Sequence, residues 1–322
     1  MNPVFKNYLI KLTGSSSILE EEIIQSLWSG YGKISRCHLE SSKHKTVVVK
    51  FISLNQSIEH PRGWDTDCSH QRKVKSYAVE TCWYEKWNER CNAKCKTPKF
   101  LGSFSEGKDQ WIVLEDLDVD FPLRKQEVEF TQVKACLIWL ANFHAAFLGQ
   151  KPYGLWDVGS YWHLETRPEE FKKIEHQELK DKAHLIDETL NKCSYQTIIH
   201  GDAKLANFCF SENGEQVSAV DFQYAGGGCG IKDVAYFLGS CLSSDESEIY
   251  ENELLDFYFS ELRKGLDSSE LVVDFQELQH QWRDLYAVAC ADFMRFMLGW
   301  MPTHQKINGY NLRLLNSVLS KL

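Results

Sequence analysis

The spacing of apolar residues changes once along this chain, from the short runs of strands to the long stripes of helices. Thr46 to Ile52 is a largely β-branched run broken only by Lys50 and Phe51, which predicts a buried strand. After a loop at His60 to Ser69, Gln71 to about Arg90 carries Tyr77, Val79, Trp83, Tyr84 and Trp87 at helical spacing. Phe100 to Ser105 and Gln110 to Glu115 flank Glu106-Gly107-Lys108-Asp109, the pattern of a β-hairpin. From Glu127 onward helical stripes dominate: Val128 to Gly149, Pro168 to Asn191, Asp233 to Leu242, Ser247 to Lys264 and Asp274 to Trp300. Only Thr197 to His200, Phe208 to Phe210 and Val217 to Phe222 interrupt them as short strands. The pattern predicts an α+β protein with a small strand-rich lobe over 1–116, a larger helical lobe over 117–322, and a linker near Asp116 to Asp120.

Composition narrows the partners more than the fold. A chain of 322 residues with 43% hydrophobic and 25% charged residues is an ordinary globular protein with room for a large core. Its formal charge of -9 argues against nucleic acid or an anionic membrane as the main partner, because both need a concentrated positive surface. A cationic or neutral ligand fits better. Met1 to Leu12 lacks the apolar stretch of a signal peptide, and Ala135 to Gly149, the nearest approach to a membrane-spanning run, is interrupted by Asn142 and His144 and reads as a buried helix. Eleven cysteines with no secretory segment ahead of them read as reduced thiols in a cytoplasmic protein. Cys91 and Cys95 form a lone C-x3-C pair with no second ligand pair, so two thiols on one helical face are expected instead of zinc. Oligomeric state leaves no sequence signal.

The densest chemistry lies in Ile198-Ile199-His200-Gly201-Asp202-Ala203-Lys204-Leu205-Ala206-Asn207-Phe208, followed by Val220-Asp221-Phe222-Gln223. Apolar strands on both sides would hold Asp202, Asn207 and Asp221 on one edge of a small hairpin, a geometry that suits a metal. Phosphoryl transfer needs a group that orients and accepts the proton of the attacking hydroxyl, and hard oxygen ligands that hold Mg²⁺ against the phosphates. Asp202 suits the first role, and Asn207 with Asp221 the second. Lys204, two residues from Asp202, could aim an ammonium at the charge that develops in transfer.

The pattern H-G-D-x4-N-F with a following D-F resembles that of choline kinases, aminoglycoside phosphotransferases and, most closely, the ecdysteroid-kinase-like branch. The resemblance implies a bilobed protein-kinase-like fold and an ATP- and Mg²⁺-dependent kinase acting on a hydroxyl of a small molecule. In it Asp202 is the catalytic base, Asn207 and Asp221 hold magnesium, and ATP lies between the lobes. Val47-Val48-Val49-Lys50 resembles the strand whose lysine pairs with the α- and β-phosphates, and Tyr77-x2-Glu80-x2-Trp83-Tyr84 the helix supplying its glutamate partner, for which Glu85 competes. Val113-Leu114-Glu115-Asp116-Leu117 resembles the hinge, where backbone groups at Glu115 and Leu117 would read the adenine edge. Leu140 to Ala145 resembles a helix packed behind the catalytic loop, and Asp233-Val234-Ala235 the helix start after the metal-binding segment.

The chain departs from the kinase pattern in two places. A phosphate-covering loop has only Gly30 and Gly32 to draw on, in Ser29-Gly30-Tyr31-Gly32-Lys33, and Gln223 stands where protein kinases carry glycine. Gly102-x4-Gly107-Lys108 nearly spells a nucleotide-binding loop, but Asp109 replaces the Ser or Thr that would hold magnesium, so a hairpin turn is expected. Gly226-Gly227-Gly228-Cys229-Gly230 lacks dinucleotide spacing and is expected to be a short flexible segment beside the metal. Trp282, Tyr286, Phe293, Phe296 and Trp300 share a helical stripe with Asp292 nearby and could box a cationic acceptor, although core packing is the commoner meaning of such a stripe. Arg72, Lys73 and Lys75 read as a solvated face. The acceptor could be an amino alcohol, a sugar, an aminoglycoside or a sterol-like alcohol. A kinase-like nucleotide-binding module without catalysis is the alternative.

Overall fold

The computed structural model describes residues 1–27, 30–54, 67–269 and 271–322. They form two compact units, one of 1–89 with 97–120 and one of 90–96 with 121–322. The loop expected at His60 to Ser69 falls mostly outside the described residues, as does Ser29.

The first unit opens with α1 (Pro3–Thr13), started by the Asn2 side chain, which accepts from the Val4 and Phe5 amides, and stopped at Gly14 with φ 64°. A five-stranded antiparallel sheet follows, built from β1 (Ser17–Ser26), β2 (Gly32–Glu40), β3 (Thr46–Ser53), β4 (Phe100–Glu106) and β5 (Asp109–Glu115) in the order β1-β2-β3-β5-β4. Helix α2 (Asp67–Lys86) lies between β3 and β4 in sequence. The pleat sorts the side chains: Cys37, Val47, Val49, Trp111 and Val113 pack with Phe5 and Leu9 of α1, where Phe5 stacks on Trp111 at 5.0 Å. Lys50 therefore projects from the opposite face. Gly107-Lys108 forms the β4–β5 turn, with Gly107 at φ 61°, so the near-match to a nucleotide loop is a hairpin as its context required. A Cβ on Gly32 would strike the Phe51 carbonyl, so glycine there lets β2 approach β3.

One arginine of β2 clamps the turn after β5. Arg36 Nε donates to Asp116 Oδ2 at 2.6 Å, and its other nitrogens reach Asp118 and, at 3.0 Å, Glu22 Oε2. Burial pushes the Asp116 carboxyl up in pKa, but bonds from Arg36 and Thr46 more than offset it and leave it below the ordinary value. Arg36→Ala should lower stability by about 2–3 kcal/mol at neutral pH, read as a urea midpoint. Because the folded carboxyl titrates below the unfolded one, that difference is full above the ordinary aspartate pKa of about 4 and shrinks as the pH falls below it.

The second unit is mainly helical. Its elements are α3 (Phe130–Phe147), α4 (Pro168–Lys172), α5 (Gln177–Asn191), β6 (Thr197–Ile199), β7 (Phe208–Phe210), β8 (Val217–Ala219), β9 (Gly226–Gly228), α6 (Ile231–Cys241), α7 (Ser244–Asp267), α8 (Phe275–Trp300) and α9 (Gly309–Leu319). The α+β class read from the pattern is the one the chain adopts. No helix among the described residues is long and apolar enough to cross a membrane.

Three local expectations fail for identifiable reasons. The single helix expected over Pro168 to Asn191 is two, because Ile174 turns into the core and His176 caps a new start by accepting from the Leu179 amide at 3.2 Å. The glycine run is no flexible segment: β9 pairs with β6, and a Cβ on Gly226 would strike the Trp156 carbonyl. Cys91 and Cys95 share no helix: Cys91 precedes, and Cys95 ends, a short turn over Ala93–Cys95 capped by Asn92, and the two thiols are hydrogen-bonded.

Candidate active site

The β7–β8 hairpin carries Asn207 and Asp221 at its open end. Asn207 directly precedes β7 and Asp221 follows β8 by two residues, and the Val220 amide donates to the Asn207 carbonyl at 3.0 Å to close the pair. Asn207 Nδ2 donates to the Asp202 carbonyl at 2.8 Å and to Asp202 Oδ2 at 3.1 Å, which leaves its amide oxygen as the atom it can offer a ligand. Lys204 Nζ donates to the same Oδ2 at 3.0 Å. Asp202 Oδ1 is buried and has no hydrogen-bond partner among the described residues. Burial pushes the Asp202 carboxyl up in pKa; Lys204 opposes the shift and the Asp221 charge adds to it. Burial would lower the Lys204 pKa, but Asp202 outweighs it and holds the ammonium charged.

The loop that presents Asp202 hangs on one carboxylate. Asp233, fully buried in the first turn of α6, accepts from the His200 amide at 2.6 Å through Oδ2 and from the Gly201 amide at 3.0 Å through Oδ1. His144 of α3 donates to the same carboxylate at 3.2 Å through Nε2, while its Nδ1 accepts from the Tyr258 hydroxyl at 2.8 Å. His200 Nδ1 accepts from the Asp202 amide at 3.2 Å, so its Nε2 carries the proton and donates to the Val220 carbonyl at 3.0 Å. The loop and the hairpin are thus one bonded unit. Gly201 has φ 76°, and a Cβ there would strike the Tyr224 carbonyl and sit 2.8 Å from the Ser160 amide nitrogen.

The Tyr161 and Tyr236 hydroxyls stand 3.3 Å apart, near enough to Asp202 to feel its charge. Burial and then the Asp202 charge push both phenols above their ordinary range, so both stay protonated as hydroxyls.

In the first unit Lys50 Nζ donates to both oxygens of Glu80, at 2.8 and 2.6 Å, with both residues buried. Glu85 instead accepts from the Ser103 hydroxyl at 2.6 Å. Glu115 ends β5 and Leu117 begins the turn Leu117–Val119 that Asp116 caps and Arg36 clamps. Gly30, before β2, and Gly32, its first residue, both have positive φ, 69° and 149°. The residues singled out from sequence thus fall into two groups, one in each unit.

The aromatic stripe of α8 is core. Trp282 and Phe296 are buried, and Trp282 Nε1 donates to the Tyr195 carbonyl at 3.0 Å. Asp292 is committed to Arg295 at 2.8 Å and to Trp162 Nε1 at 2.9 Å. Sequence spacing gives no role to Tyr161 and Tyr236 and marks Asp233 only as a helix start. Its position in a first helical turn was the available signal, since an acid there faces exposed amides.

Residues 158–271 match the Ecdysteroid kinase-like family, in agreement with the resemblance read from the motifs. No curated protein matches in sequence. Solved structures similar in fold include an aminoglycoside phosphotransferase of Streptomyces rimosus in complex with ADP and streptomycin, 10% identical, covering 89% of this chain and 99% of its own, with a TM-score of 0.48. A putative fructosamine-3-kinase of Haemophilus somnus is 12% identical over 98% of this chain and 96% of its own, with a TM-score of 0.47. An ethanolamine kinase of Plasmodium vivax is 13% identical over 92% and 81%, with a TM-score of 0.43.

Proposed function

We propose that this chain, with its ecdysteroid kinase-like segment at 158–271, is an ATP- and Mg²⁺-dependent phosphotransferase that acts on a hydroxyl of a small molecule. The observation that carries the reading is the unpartnered, buried Oδ1 of Asp202, beside a second oxygen held by Asn207 and Lys204. A carboxylate oriented through one oxygen and free at the other is suited to take a proton from an incoming alcohol.

The residues fit magnesium. Among the described residues no three His, Cys, Asp or Glu side chains cluster as a metal cage. Mg²⁺ needs none, since one or two protein oxygens completed by water and phosphate oxygens satisfy its octahedron. Asn207 would offer its amide oxygen and Asp221 its carboxylate. The ion would supply charge neutralisation at the phosphates.

The chain's own residues do the rest. Asp202 Oδ1 orients the acceptor hydroxyl and accepts its proton as oxygen bonds to the γ-phosphorus and the bond to the β-phosphate oxygen breaks. Lys204, freed from Asp202 Oδ2, can turn to the equatorial oxygens, where charge spreads in transfer. Lys50, held straight by Glu80, takes the α- and β-phosphates, and the backbone from Glu115 to Leu117 reads the adenine edge.

The test is ATP consumption across a panel of small hydroxylated metabolites, with and without Mg²⁺, using Asp202→Ala as the blank. A signal that needs Mg²⁺ and one acceptor class, and is lost in the blank, is expected. Asp221→Asn should raise the Mg²⁺ requirement by about tenfold or more, since even outer-shell partners of a metal are worth that much. ATP binding without any acceptor-dependent turnover would leave a nucleotide-binding module, and no ATP binding would end the kinase reading.

A further inference from the structure

A lysine of the chain holds its ammonium over two aromatic rings near Asp202. Lys306 lies in the segment between α8 and α9, and its Nζ stands 5.2 Å from the ring centre of Tyr236 and 5.6 Å from that of Phe293. Both distances are within the roughly 6 Å at which a cation is attracted to an aromatic face. Tyr236 is a phenol near enough to Asp202 to feel its charge, so this seat adjoins the catalytic carboxylate.

The segment holds Lys306 there by its backbone. The His304 amide donates to the Met301 carbonyl at 3.0 Å and the Ile307 amide to the His304 carbonyl at 2.9 Å. The Lys306 amide donates to His304 Nδ1 at 3.1 Å, and its carbonyl accepts from Asn311 Nδ2 at 3.0 Å. Ile307, the residue after Lys306, packs on the helical core. The ammonium itself has no hydrogen bond or ion pair among the described residues; the rings are its contacts. Burial pushes its pKa down to about 8, partly opposed by Asp202, so at neutral pH it is still a cation.

We propose that Lys306 determines acceptor specificity: its ammonium fills the cation seat of Tyr236 and Phe293, so the acceptor is a neutral or anionic alcohol and quaternary-ammonium alcohols are turned away. The word acceptor rests on the kinase reading; the occupied seat does not. The overall charge of -9 favours cationic ligands at long range, but at this seat a second cation meets a like charge and finds its aromatic face taken. Lys306 and Lys204 instead place two ammonium groups near the reacting centre, which favours lone-pair or anionic oxygens on the incoming molecule.

Removing the tethered ammonium should open the seat to a free one. Tetramethylammonium and choline are titrated by calorimetry, without nucleotide, into the wild-type full chain, Lys306→Ala and Lys306→Met. The alanine variant should bind both at least about tenfold tighter than wild type, because it vacates the rings and removes the repelling charge. The methionine variant, whose side chain still covers the rings, should stay near wild type and shows that loss of charge alone is not the cause. Wild type binding choline as well as the alanine variant does would overturn the proposal, as would an alanine variant that folds, by circular dichroism and thermal melting, yet gains nothing. Because the measurement uses neither ATP nor turnover, a chain that failed every kinase assay could still pass it, and the two readings fail separately.

Discussion

Asp202→Ala is expected to lower kcat by about three orders of magnitude or more, the range over which a positioned general base acts, while ATP affinity changes by less than about twofold. The structure explains why the two should separate. Asn207 is oriented mainly by the Asp202 backbone carbonyl, at 2.8 Å, and alanine keeps that carbonyl. The Asn207 side chain therefore stays aimed when the Asp202 side chain goes. Asp202→Asn makes the contrast sharper: its amide can still accept from Asn207 and keep the loop in place, but it cannot take a proton, so it should be nearly as slow as alanine. Pre-steady-state and steady-state turnover, with nucleotide binding by fluorescence, decide the matter. A loss below about tenfold in both variants would remove Asp202 from the base role.

Asp233→Ala should have the largest effect on stability of any change at this site, about 3–5 kcal/mol, because three buried donors lose their acceptor together. The amides of His200 and Gly201 and the His144 ring would be left unpaired in a fully buried pocket. Asp233→Asn turns one oxygen into a donor that faces those donors, so it should fall between alanine and wild type. The urea midpoint reads the stability. Residual activity in the folded fraction reads the loop: kcat should drop with little change in the KM for ATP, since Lys50 and Glu80 belong to the other unit. An alanine variant with an unmoved midpoint would show that the loop is held by something else.

The sequence was legible where pattern is local. The hairpin at 100–115, the strand around Lys50 and the stripes of α3 and α8 follow from period alone, and the Asp202, Asn207 and Asp221 cluster stands out because two acids and an amide recur between apolar strands. Elements with little buried surface were not seen. Strand β1 lies at the sheet edge with mostly exposed side chains, so it shows no alternation, and α1 buries only Phe5, Leu9 and Thr13 although Asn2-Pro3 and Gly14 mark its ends. The break at Ile174 was hidden because both halves keep helical composition. Asp233, Tyr161, Tyr236 and Lys306 acquire their roles from segments far away in the chain, and no spacing rule reaches that far. The α8 aromatic stripe was legible only as a choice: core packing holds for Trp282 and Phe296, whereas Phe293 also faces a cation, supplied by the chain itself.

Asp221 holds a left-handed backbone, with φ 70°, a conformation that aspartate tolerates better than most residues but that glycine adopts freely. A single base change converts an aspartate codon to a glycine codon. For a lineage that no longer used this carboxylate, that substitution would relieve the backbone and let mutation drift toward a more stable, silent protein. The backbone at Asp221 thus favours glycine, and a preference for aspartate there would have to come from what its side chain does and not from its backbone.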